Sequence, residues 1–222
     1  MNSISAVALK SLIAESRLLE ADGFGPKVVE SPDGKVIHKL FRRKRWLSSA
    51  LLRPYAIRFW RNAQRLQRLG FATVNVIQVS RCRQLGYHLL SYNKVPGQSL
   101  RDLIKEAPRI EYFVELGQFV ARLHRSGVYF RSLHLGNLLW DDQQDLALID
   151  IADMRFYRRP LSVSERLRNF RPLLNRVEDR EIISRECWCV LVDAYVEASA
   201  INESLSRTIY DLGGQLRPAS LT

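Results

Sequence analysis

With 222 residues, 46% of them hydrophobic, and a net charge of +11, the chain can bury a sizeable core and lacks the composition of a disordered polyelectrolyte. The N-terminal stretch carries Lys10, Glu15 and Glu20 among its apolar residues, and no other stretch approaches 18 apolar residues. This argues against a secretory leader and a spanning helix, and sets the expectation of a cytoplasmic protein.

Cys82, Cys187 and Cys189 are too few and too unevenly spaced for a disulfide framework, and Cys-x-Cys without a nearby histidine is a poor zinc site, so free thiols are expected. The charge is uneven. No Asp or Glu occurs between Asp33 and Asp102, whereas residues 34–101 hold 15 of the 34 Lys and Arg, leaving 19 basic against 23 acidic residues elsewhere. Such a cationic stretch favours a phosphorylated acceptor, an anionic membrane surface or nucleic acid, or is simply a solvated basic face.

In chain order, Ile4, Val7, Ala8, Leu12 and Leu19 lie at roughly helical spacing, which predicts a helix within residues 3–20. Gly23-Phe24-Gly25-Pro26 follows. Val28-Val29 and Val36 to Phe41, around the turn Ser31-Pro32-Asp33-Gly34, predict a β-hairpin. Arg42 to Arg45 break the pattern, and Tyr55 to Leu69 read as a helix stopped by Gly70, with Ile57, Trp60, Leu66 and Leu69 towards a core. Val74 to Val79 and Tyr87 to Leu90 predict two more strands.

Val95-Pro96-Gly97 is a break, and Ser99 caps a helix through Lys105, with Asp102 at the acidic position of a capping box. Tyr112 to Ser126 is amphipathic at i, i+3, i+4 spacing and ends at Gly127. A strand Val128 to Phe130, a loop Arg131 to Asn137, a strand Leu138 to Trp140, a turn Asp141 to Asp145 and a strand Leu146 to Ile151 come next. Beyond Pro160 two helices are expected, at about 163–177 and 179–200. No repeats or low-complexity tracts occur.

The chemistry concentrates in residues 123–153, LHRSGVYFRSLHLGNLLWDDQQDLALIDIAD. A carboxylate directly after Leu146-Ala147-Leu148-Ile149 is costly to bury without a cation or hydrogen-bond partner. Asn137 and Asp150, joined by a tight hairpin, are expected side by side. An amide oxygen with a carboxylate suits a hard cation such as magnesium, whose remaining sites go to water and phosphate.

This segment resembles the catalytic core of the protein-kinase-like superfamily, in particular the branch of aminoglycoside and choline phosphotransferases and lipopolysaccharide core sugar kinases. Their loop reads His-Arg/Gly-Asp-Leu-x-x-x-Asn, followed after a hairpin by a magnesium-holding Asp. Here it reads Phe130-Arg131-Ser132-Leu133-His134-Leu135-Gly136-Asn137, then Leu148-Ile149-Asp150. The preceding Leu123-His124-x-x-Gly127, Leu133, His134-x-Gly136-Asn137, the hairpin length and the Asp after an apolar strand all agree.

Upstream, Val36 to Phe41 is similar to the third kinase strand, whose lysine, here Lys39, contacts the α and β phosphates. Val95 to Leu100 resembles the hinge. More narrowly, Gly25-Pro26-Lys27-Val28, Lys39 to Lys44 and Phe130 to Asn137 resemble bacterial toluene tolerance or lipopolysaccharide kinase-like proteins.

The resemblance implies an α+β, protein-kinase-like bilobal fold, with a small antiparallel-sheet N-lobe (about 1–92), a hinge (about 93–97) and a shortened, mostly helical C-lobe (about 98–222). It implies ATP and Mg2+ as cofactors, with Lys39, Gly23, Gly25, Lys27, Asn137 and Asp150 at the nucleotide, Asn137 and Asp150 on the metal, and Arg131, Ser132, His134 and Asp153 at the reacting centre.

Three departures stand out. Ser132 occupies the catalytic-base position, and a hydroxyl with no base beside it takes no proton at neutral pH as an aspartate does. No carboxylate is available on the helix after Lys39 to pair with it; Asn62 falls near that place. Gly23-x-Gly25 has no third glycine. His134 and Asp153 are alternative proton acceptors, against the readings that His134 only orders its loop and Asp153 is a surface acid. Lys39 is alternatively a solvated strand lysine.

The expectation is an ATP/Mg-dependent phosphotransferase on a sugar, lipopolysaccharide-core or other small anionic acceptor. Arg155, Arg158 and Arg159 attract that acceptor, and residues 34–101 make peripheral contact with the inner membrane. A nucleotide-binding pseudokinase acting as regulator or scaffold is the alternative. Nucleic-acid binding through Phe41, Trp46, Tyr55, Phe59 and Trp60 among the arginines ranks last, since no recognition-motif spacing is present.

Overall fold

The computed structural model describes residues 1–42, 54–141 and 146–218. The break at Arg43 to Arg45, Trp46 and the turn residues 142–145 lie outside them. The chain divides into two compact units, Met1–Val95 and Pro96–Thr222.

The first unit is a six-stranded sheet with a helix against each face. Its strands are β1 (Asn2–Ser3), β2 (Arg17–Asp22), β3 (Gly25–Glu30), β4 (Val36–Arg42), β5 (Asn75–Cys82) and β6 (Tyr87–Asn93). Their order is β1-β5-β6-β4-β3-β2, with β1 parallel to β5 and every other pair antiparallel. Side chains alternate across a strand, so β4 serves both faces. Leu40 joins Val29, Cys82 and Leu89 around Leu9 of α1 (Ala6–Glu15). On the other face Phe41 and Tyr92 meet the Phe59 ring of α2 (Tyr55–Arg68) at 6.4 and 5.7 Å between centroids.

Two expectations are corrected here. The N-terminal helix stops at Glu15, where Ser16 Oγ donates to Leu12 O, and Arg17 to Asp22 pair with β3 instead; Leu18 and Leu19 are exposed strand residues. The buried face of α2 is Ala56, Phe59, Asn62, Ala63 and Leu66, whereas Trp60 and Leu69 are 38% and 45% exposed. Positions 56, 59, 63 and 66 keep i, i+3, i+4 spacing, and small alanines let the helix sit close to the sheet.

The second unit is mostly helical. Ser99 caps α3 (Leu100–Glu106) by accepting from Asp102 N, and Asp102 Oδ2 in turn accepts from the Ser99 hydroxyl rather than its backbone, so this is half a capping box. The helix α4 (Ile110–Arg125) buries Phe113, Leu116, Phe119, Val120 and Leu123. After it come β7's partners: β7 (Gln98–Ser99) pairs with β9 (Leu138–Trp140), which pairs with β10 (Leu146–Leu148), while β8 (Val128–Phe130) pairs with β11 (Met154–Phe156).

Among the described residues four helices follow rather than two: α5 (Val163–Asn175), α6 (Val177–Arg180), α7 (Arg185–Ser199) and α8 (Glu203–Leu212). Ser184 and Asn202 each accept from a backbone N–H three residues on, capping new helices where the sequence reading ran on or stopped. Trp188, Tyr195 and Phe170 fill the core against α4. Among the described residues no helix is long and apolar enough to cross a membrane, and all three cysteines are free.

Candidate active-site loops

Two connections carry the candidate chemistry, and the strand pairing sets them face to face. Residues 131–137 join β8 to β9, and residues 149–153 join β10 to β11. Since β8 pairs with β11 and β9 with β10, both connections are held between the same two strand pairs. The hairpin runs Leu138↔Leu148, Leu139↔Ala147 and Trp140↔Leu146, and Ile149 N donates to Asn137 O at 3.1 Å, so Asn137 and Asp150 emerge at one end of it.

The buried Asn137 is fixed by its amide nitrogen, which donates to Ser132 O at 2.9 Å. Its Oδ1 makes no hydrogen bond among the described residues and is left as an oxygen donor. Asp150, half-buried, has φ 51° and ψ 47°, the left-handed region that Asp and Asn tolerate better than other non-glycine residues. Such backbone persists where its surroundings hold it, as Ile149 is held here. An amide oxygen and a carboxylate at one hairpin end fit the hard, oxygen-preferring Mg2+. Among the described residues no group of three or more His, Cys, Asp or Glu is placed for a metal.

Ser132 is half-buried; its carbonyl accepts from His134 N and Asn137 Nδ2, and its hydroxyl makes no hydrogen bond among the described residues. His134 Nδ1 lies 3.5 Å from an Arg101 guanidinium nitrogen. An arginine only donates, so the neutral ring accepts at Nδ1 and carries its proton on Nε2. Burial, then the Arg176 charge, push the imidazole below its usual pKa, with Asp179 and Asp150 acting the other way. Asp153 is half-buried in the turn Ile151–Asp153, and Arg131 is exposed.

Sequence reasoning missed what holds this loop. The fully buried Asp179 on α6 accepts from Arg101 Nε at 2.6 Å and from Leu135 N at 3.0 Å, tying α3, α6 and the loop together. A Cβ at Gly136 would stand 2.8 Å from that guanidinium, so the glycine is what lets Arg101 cross the loop. At the other end, buried Asn169 of α5 brackets Phe130, accepting from its N–H at 3.2 Å and donating to its carbonyl at 2.5 Å. No short-range signal marks either residue, because each partner lies 39 or more positions away.

In the first unit, Asp22 pairs with Gly25 to leave a two-residue turn, Gly23-Phe24, with Phe24 N bonded to Asp22 Oδ1 and φ +121° at Gly25. No side chain but hydrogen adopts that φ freely. Lys27 forms an ion pair with Glu20. Lys39 is half-buried, its ammonium 5.7 Å from the Phe59 ring centroid and 6.0 Å from that of Phe41. It thus points towards α2, with the Phe59 and Phe41 rings beside its ammonium.

These features define a protein-kinase-like fold. Consistent with it, a solved aminoglycoside-3'-phosphotransferase of type VIII superposes with a TM-score of 0.61 at 15% identity, covering 92% of this chain and 96% of that one. The bifunctional kinase-methyltransferase WbdD matches with a TM-score of 0.49 at 16% identity over 86% of this chain, which spans 43% of WbdD's length. No curated relative matches. The family model for the lipopolysaccharide kinase (Kdo/WaaP) family matches residues 33–195, and the chain belongs to that family.

Proposed function

We propose that the protein is an ATP- and magnesium-dependent phosphotransferase whose acceptor is a sugar of the lipopolysaccharide core or a similar anionic sugar. Membership of the lipopolysaccharide kinase family supports the acceptor class. The carrying observation is the opposition of the 131–137 and 149–153 connections, which brings Asn137 and Asp150 to one hairpin end. In this reading Asn137 Oδ1 and Asp150 hold the metal, which neutralises charge developing on the transferred phosphoryl group. Lys39, Gly23, Gly25 and Lys27 hold the triphosphate; Lys39, kept half-buried by its aromatic neighbours, supplies a fixed positive charge.

Ser132 contributes position rather than basicity. His134 donates from Nε2 while Arg101 occupies its accepting nitrogen, so its role is to orient the loop or the acceptor. The acceptor proton passes to Asp153 or water. Loss of a dedicated base lowers turnover by about 10²–10⁴-fold without abolishing it, because the loose transition state depends mainly on positioning and metal charge.

Steady-state ATP consumption with lipopolysaccharide core oligosaccharide decides the matter. Asp150→Asn, which keeps a residue tolerant of the left-handed backbone, removes turnover, and the exposed Arg68→Gln does not; equal rates would overturn the reading. Serine rather than aspartate at position 132, its hydroxyl without a hydrogen bond among the described residues, favours a second reading, a nucleotide-binding pseudokinase. It predicts nucleotide-induced thermal stabilisation without product and a gain of activity in Ser132→Asp.

A further inference from the structure

Strand pairing builds a second feature beside the transfer loop. Tyr129 lies opposite Arg155 in the β8/β11 pair, and side chains two apart share a face, so Tyr129, Arg131, Arg155 and Tyr157 project to one side while Val128, Phe130 and Met154 are buried on the other. With Glu165 and Arg168 of α5 they line a cavity of about 230 Å³. Pockets for drug-sized ligands run to about 300–1,000 Å³, so this one suits a smaller ligand.

Its charges are unbalanced. The Glu165 carboxylate is gripped by Arg159 through two hydrogen bonds, 2.7 and 3.0 Å, and by Ser162 N at 2.7 Å. Arg159 therefore cancels the one acid among the described residues of the wall, and the sequence expectation that Arg159 faces an acceptor gives way to this pairing. Among the described residues Arg131 and Arg155 make no hydrogen bond or ion pair, and Arg168 makes a single bond, from Nε to Ser164 O at 3.2 Å. Three guanidinium groups around one small space repel one another unless an anion joins them, and their forked N–H donors match phosphate oxygens in pairs. The tyrosine rings offer amphipathic surface suited to a sugar.

We propose that this cavity binds a phosphate monoester carried on a sugar, held by Arg131, Arg155 and Arg168, at a site separate from Asn137 and Asp150. Arg131 directly precedes Ser132, so a ligand there is anchored to the residue that opens the transfer loop. That the sugar is the acceptor rests on the phosphotransfer reading; that the cavity binds a phosphate monoester does not.

Calorimetric titration of the full chain in chloride buffer without nucleotide tests it, with glucose 6-phosphate, inorganic phosphate and glucose as probes. Glucose 6-phosphate binds more tightly than inorganic phosphate, and glucose gives no heat. The double variant Arg131→Gln/Arg155→Gln and the single variant Arg168→Gln each weaken glucose 6-phosphate binding, the double variant at least tenfold. Arg68→Gln and Asp150→Asn leave it unchanged. All three arginines are exposed, so the urea midpoints of these variants stay at the wild-type value, and unchanged binding in a folded double variant would overturn the proposal. So would a wild-type protein that binds no glucose 6-phosphate, or a loss in Asp150→Asn equal to that in the double variant, which would put the phosphate at the metal pair. Equal affinity for the two phosphates would remove the sugar from it. A protein that binds glucose 6-phosphate through these arginines yet turns over no ATP leaves the anion site standing and fells the phosphotransfer reading.

Discussion

His124, matched in the sequence as part of a motif, is wholly buried and gives the second unit a pH dependence. Its Nε2 faces Asn169 Oδ1 at 3.2 Å and its Nδ1 faces Tyr195 OH at 2.9 Å, while Arg166 donates to that same hydroxyl at 2.7 Å. The only consistent arrangement is a neutral ring protonated on Nε2 that accepts from Tyr195. Burial, then the Arg166 charge, push its pKa down to about 3, against a smaller upward pull from Asn169. The folded value lies below the unfolded one, near 6.5, so the unfolded chain binds the extra proton and stability falls as pH drops from about 6.5 towards 3. The slope from this one group is at most about 1.4 kcal/mol per pH unit. Urea midpoints between pH 7 and 5, above the carboxylate range, show it: the wild type loses stability more steeply than His124→Gln, by up to one proton. Parallel slopes would contradict the assignment.

At the scale of elements, the two loops depend on helices distant in sequence. Asp179 is fully buried while its Arg101 partner is partly exposed, and removing one member of such a pair leaves an uncompensated charge under the loop. Asp179→Ala is expected to destabilise by about 3–5 kcal/mol and to free the Leu135 amide, seen as faster hydrogen exchange at Leu135. An effect below about 1 kcal/mol, the range of surface pairs, would show that the network does not hold the loop.

The hairpin of β9 and β10 was legible because short apolar runs flanking a polar turn admit one register, and Ser99 was legible because a cap acts within three residues. The α2 face was misread because alanine contributes spacing but little hydrophobicity. The β2 strand was missed because its residues are all exposed and its pairing with β3 is a tertiary choice. Asp179 and Asn169 act across 39 to 78 positions, where the pattern of one chain carries no local trace.

For the whole molecule, charge divides along the two units. Met1–Val95 contains 17 basic and 5 acidic residues, and Pro96–Thr222 contains 17 and 18. A net of +12 on the first unit sets the expectation of peripheral contact with anionic lipid. Sedimentation with phosphatidylglycerol vesicles should retain the protein at low salt and release it as added salt shortens the screening length below about 10 Å. Retention on neutral phosphatidylcholine vesicles, or no dependence on salt, would remove that role.

The measurement that reaches the account most directly is the affinity for ATP in the presence of Mn2+, a spectroscopically visible substitute for Mg2+, read by electron paramagnetic resonance. Tight Mn·ATP binding in the wild type, weakened at least tenfold in both Asp150→Asn and Asn137→Leu with folding intact, is the predicted result. Equal affinity in all three proteins would contradict it.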